Sequence, residues 1–120
     1  MIIQRNYGRE ALAIGNYAMY RFVFMSRCMR DELRKMINAG TLIEHLTDVE
    51  KTVSAYMDNY RLGIIHSDEY HNSEQKEKLL HSRAEAEEER IGNKWICVKN
   101  PYDSEEYCMW SAATQISEVV

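Results

Sequence analysis

His66, Asp68, Glu69 and His71 fall within six residues, in the run HSDEYH. Imidazole and carboxylate are ligand types for zinc and other divalent ions. Their spacing matches no standard zinc motif, and a polar loop collects such residues for solvation alone. Cys97 and Cys108 lie symmetrically about a turn-rich segment. With His81 they have the residue types of a zinc site, and they equally have the character of small buried residues. Cys28 and His45 are the residue types of a nucleophile and its base, but Cys28 stands in an apolar run, where thiols are inert. The chain has no glycine-rich phosphate loop and no HExxH. The expectation is a protein without catalysis, metal or cofactor.

The remaining chemistry is that of binding. Acidic residues outnumber basic ones, 19 to 15, for a net charge of −4, which argues against a generally basic nucleic-acid binder. The charge is unevenly placed. Residues 1–40 are basic on balance, with Arg21, Arg27, Arg30, Arg34 and Lys35 close together. Residues 41–93 are acidic, and Asp68, Glu69, Glu74, Glu77, Glu85, Glu87, Glu88 and Glu89 crowd their second half. Such asymmetry steers partners, and it also balances neighbouring helices of opposite sign. Eight tyrosines and seven methionines serve contact surfaces and cores alike.

The elements that position these residues are mainly helical. With 120 residues, 45% of them hydrophobic, the chain has the length and composition of one globular domain over 1–120. Three cysteines make no disulfide framework, and the start MIIQRNYGRE has no run long enough for a secretory signal. The longest uncharged stretch of the first helix, Ala11 to Tyr20, is about half a membrane span. A cytoplasmic protein without a membrane partner is expected.

Ile14, Ala18, Phe22, Met25, Met29, Leu33 and Met36 recur at steps of three and four. This predicts one long helix over about 9–38, bent near Gly15. Gly40 stops it, and Thr41 suits the N-cap of a second helix over about 41–65; a start at Thr47 competes. Leu42, Leu46, Val49, Val53, Tyr56, Tyr60 and Ile64 form the cleanest stripe, close to a heptad seam. The short connection makes the pair antiparallel. GIIHSDEYHNSE reads as a loop, followed by a polar helix over about 73–91, capped by Asn72 and ended by Gly92. Trp95 to Val98 and Tyr107 to Trp110 flank the turn chemistry of Asn-Pro-Tyr-Asp-Ser, which predicts a β-hairpin over about 94–111. The predicted architecture is a three-helix bundle with a long antiparallel helix pair plus a C-terminal β-hairpin.

The segment LRKMINAGTLIEHLTDVEKTV resembles the central part of the small transposon-encoded TnpV family. NYGRE resembles that family's YGR segment, and HSRAEAEEERI its closing RAEE-type helix. The chain departs from the pattern in a longer stretch between Tyr7-Gly8 and Gly40 and in the C-terminal hairpin. The resemblance implies a mobile-element setting and no catalytic residue.

Three functions are consistent with these readings. The first is a mobile-element protein (phage, plasmid or transposon) that binds another protein through its acidic face, as an inhibitor of a host nucleic-acid enzyme in the manner of an anti-CRISPR. The second is a DNA-binding accessory or regulator using the arginines of helix one. The third is a structural homodimer with Leu42–Ile64 as its seam.

Overall fold

The structure is a computed structural model and describes residues 5–97. Six helices follow one another: α1 (Tyr7–Ile14), α2 (Asn16–Cys28), α3 (Arg30–Ala39), α4 (Leu42–Ile65), the short α5 (Asp68–His71) and α6 (Lys76–Ile91). A π-helical turn, Gly92–Ile96, extends α6. No strand occurs among the described residues.

The predicted first helix is three helices. It breaks at Gly15, where a bend was expected, and again at Met29, whose φ of −138° lies outside the helical region. At Gly15 an added Cβ would collide with the Glu50 carboxylate, so glycine is needed for the close approach of α4. Gly40 then ends α3 in the left-handed conformation, φ 72° and ψ 24°. The Thr41 amide donates to the Met36 carbonyl at 2.9 Å, the long bond of a Schellman closure. Helix α4 starts directly after Thr41, which excludes the competing start at Thr47, although the Thr41 side chain makes no capping bond.

α4 is the central element. It packs against α2 on one side and α6 on another, while α1 lies against both α2 and α4. Leu42, Leu46, Val49 and Val53 are buried as the stripe predicts, but Met57, rather than Tyr56, continues it. Tyr56 is 37% exposed. The inner part of the stripe, Leu42 to Val53, belongs to the core of the one chain, while Tyr60 and Ile64 at its far end are half-buried. In α2 the inward positions are Ala18, Arg21, Phe24 and Met25, while Phe22, placed on the stripe by sequence, is half-buried.

The loop read into GIIHSDEYHNSE contains α5, whose Ser67 hydroxyl accepts from the Tyr70 amide at 3.2 Å. Helix α6 begins at Lys76, with Gln75 rather than Asn72 at the cap position. α6 ends at Ile91 with Gly92 at its C-cap, as expected, but Gly92 keeps right-handed helical angles and the chain runs on into the π-helical turn. Trp95 and Ile96, expected in a strand, belong to the π-helical turn, with Cys97 at its C-cap. Their β-propensity is overridden because the turn places Ile96 and Cys97 in the core beside α2. The rest of the expected hairpin, including Cys108, lies outside the described residues. Among the described residues, no helix is long and apolar enough to cross a membrane.

Candidate functional site: two charged surfaces and a buried arginine

Arg21 was grouped by sequence with the phosphate-contacting arginines. It has no exposed surface at all. Its Nε donates to Nε2 of His45 at 3.0 Å, and its Nη1 donates to the Ile96 carbonyl at 2.9 Å. The guanidinium also lies 5.8 Å from the centre of the Phe24 ring. Burial lowers the Arg21 pKa to about 10, so it keeps its charge at neutral pH. Burial, reinforced by the Arg21 charge, lowers His45 to about 4. His45 is therefore neutral, with its proton on Nδ1, because Nε2 must accept from Arg21. Cys97 is buried next to this node, and desolvation pushes its thiol up to about 12. Every buried side-chain nitrogen or oxygen among the described residues has a hydrogen-bond partner. The node joins α2, α4 and the π-helical turn, and its groups are engaged in doing so. A neutral imidazole whose lone pair is occupied is a poor base, and a thiol raised to 12 is a poor nucleophile.

The signal for this node was present in the sequence. Arg21 stands three residues after Ala18 and four before Met25, on the inward face of an otherwise apolar run. A charge on such a face is either a break in the pattern or a buried linker. Glu50 has a role that the sequence reading missed. Its carboxylate reaches from α4 to the first turn of α2, accepting from the Ala18 amide at 2.9 Å and from the Ser54 hydroxyl at 2.9 Å. It caps α2 in place of a local side chain, since Gly15 has none to offer.

The basic surface comprises Arg27 at the end of α2 and Arg30, Arg34 and Lys35 on α3, all exposed. Asp31 and Glu32, also exposed, interrupt it, and Arg30 Nε donates to the Ser26 carbonyl. The positive field is thus weaker than the list of arginines suggested.

The acidic surface divides in two. Glu87 is held by Arg90 and accepts from the Tyr56 hydroxyl at 2.7 Å. Glu88 accepts from the Tyr17 hydroxyl at 2.7 Å and lies 3.7 Å from Arg61. Both clamp α6 to the body of the protein. Burial, with the Glu88 carboxylate beside it, raises the Tyr17 pKa well above the usual phenol range. Glu69 pairs with Arg83 and so ties α5 to α6. Asp68, Glu74, Glu77, Glu85 and Glu89 are exposed, with Glu85 3.3 Å from His81. Among the described residues, no three His, Cys, Asp or Glu side chains come together as a metal site. His66, before α5, and His71, its last residue, are both exposed.

Two grooves flank the α4–α6 pair. One, of about 460 Å³, is lined by Leu80 and Ala84 together with Arg61, Glu77, His81, Glu85 and Glu88. The other, of about 380 Å³, is bordered by Tyr60, Gly63, Leu79 and Arg83.

Comparison of the chain with protein-family models, curated proteins and solved structures gives no match.

Proposed function

We propose that this chain is a non-catalytic binding protein whose acidic α5–α6 surface engages a basic surface on a partner protein. The observation that carries this reading is the exposure of Asp68, Glu74, Glu77, Glu85 and Glu89, all within the α5–α6 segment. In the interior, the Arg21 guanidinium is hydrogen-bonded to His45 and to the Ile96 carbonyl. A mobile element is the setting that the TnpV-like segments suggest. A host nucleic-acid enzyme is the partner class that suits the charge, because an acidic surface competes with nucleic acid for a basic channel. In that role the protein is an inhibitor of the anti-CRISPR kind.

Affinity purification of the tagged protein from bacterial lysate, with and without nuclease, tests this. A protein partner that survives nuclease and is lost when Glu74, Glu77, Glu85 and Glu89 are changed to lysine supports the reading. Retention of the partner by that variant overturns it.

The exposed quartet Arg27, Arg30, Arg34 and Lys35 supports a second reading, a DNA-binding accessory protein. Nuclease-sensitive nucleic acid in the eluate would favour it, with affinity falling steeply as salt rises. Changing Arg27, Arg30 and Arg34 to glutamate should then abolish binding, and undiminished binding would reject that reading.

A further inference from the structure

We propose that the groove between α4 and α6 receives a basic amphipathic helix of the partner protein. The inference rests on the binding-protein reading above and names the element that the partner presents. Beyond Met57 in α4 and before Ala84 in α6, no residue is fully buried. This part of the molecule is a two-helix arm that leaves its sides open, as helix pairs do until a further helix covers them. Leu62, on the arm, is 51% exposed.

The shape and charge of the groove select its occupant. The half-buried Leu80 and the buried Ala84 stand four residues apart on α6 and supply the apolar lining of the groove. Glu77 and Glu85 lie beside them, with His81 between the two and 3.3 Å from Glu85, and give the groove its acidic side. From Glu77 to Glu85 this side runs roughly 12 Å, about two helical turns. Arg61, opposite, lies near Asp58 and Glu88, which offset its charge. An apolar strip beside two carboxylates two turns apart matches a helix with a leucine-type stripe and lysine or arginine on its flank. A nucleic-acid backbone would be repelled by the same acidic side. A second copy of the arm would set like charges against each other.

The test uses the full chain and a fluorescently labelled model peptide of leucine and lysine at helical spacing. Its two controls are the same composition scrambled to remove the stripe, and the glutamate counterpart. Binding is read by anisotropy, and the site by amide chemical shifts. The expected result is binding of the striped lysine peptide alone, with shifts centred on Arg61, Leu80 and Ala84. Glu77→Lys with Glu85→Lys should weaken it by about tenfold or more. The same charge change placed on α3, Asp31→Lys with Glu32→Lys, should leave it within about twofold. Equal loss in both variants, or equal binding of the scrambled peptide, overturns the inference, because net charge alone would then explain binding.

Leu80→Gln, with folding checked by circular dichroism, separates this inference from the reading beneath it. If the wild-type chain captures a protein partner and Leu80→Gln captures it equally, the groove is wrong and the acidic surface stands. If the quadruple lysine variant also keeps the partner, the reading itself falls.

Discussion

Nε of the fully buried Arg21 donates across 3.0 Å to Nε2 of His45, and through this bond α2 and α4 share one charged group in the core. The same guanidinium reaches the Ile96 carbonyl and so fastens the π-helical turn to both helices. An arginine suits the place because its planar fork supplies several donors at fixed angles.

Replacing Arg21 with alanine should destabilise the protein by about 3 kcal/mol, since it strands a buried imidazole nitrogen and a buried carbonyl and opens a cavity. Arg21→Lys should recover little, because one ammonium cannot span both acceptors in the guanidinium geometry. Urea denaturation checks both. A loss below about 1 kcal/mol for alanine would show that the node contributes little.

Stability should fall in acid through His45. Its pKa in the folded protein is depressed to about 4 from the ordinary 6.5. Above 6.5 the group is neutral in both states and contributes no pH dependence. Between 6.5 and 4 the unfolded chain takes up a proton that the folded chain refuses, so stability declines as pH drops, and below 4 the effect levels off. With allowance for partial exposure the loss is about 2 kcal/mol. His45→Gln can keep the hydrogen bond without titrating, so its stability should lack this component between pH 6.5 and 4.

Gly15 and Glu50 should be energetically coupled. Glu50→Ala removes the cap of α2 and should cost about 1–2 kcal/mol. Gly15→Ala drives a methyl group into the Glu50 carboxylate and should cost at least as much. In a double-mutant cycle the second change should cost markedly less once the first is present, with an interaction energy of about 1 kcal/mol. Simple additivity would mean that the two residues do not meet.

Gly63 offers the opposite case. It lies inside α4, is exposed, and an added Cβ would find nothing within 4 Å. Gly63→Ala should therefore raise stability by about 0.5–1 kcal/mol, from helix propensity and a less flexible unfolded chain. Thermal melting would show it as a higher midpoint, and a lower one would mean that α4 is strained there.

Periodicity made α4 legible from sequence, because a helix that buries one face must repeat its apolar residues every three or four positions. Leu42, Leu46, Val49 and Val53 were readable for that reason, and Gly40 was readable because only a residue without Cβ sits easily at φ 72°. The acidic crowding of α6 and the exposed basic residues of α3 were equally visible, since charge at the surface needs no partner to be recognised. Long-range contacts decided the rest. Met57 replaced Tyr56 because the Tyr56 hydroxyl bonds to Glu87 of α6 at the edge of the core. Arg21 turned inward because His45 and Ile96, distant in the chain, converge to accept its hydrogen bonds. The segment ending at Cys97 became a π-helical turn rather than a strand because that geometry carries the Ile96 carbonyl to Arg21. Local sequence records which face of an element avoids water. Which polar group can be buried depends on partners that only the folded chain brings within about 3 Å.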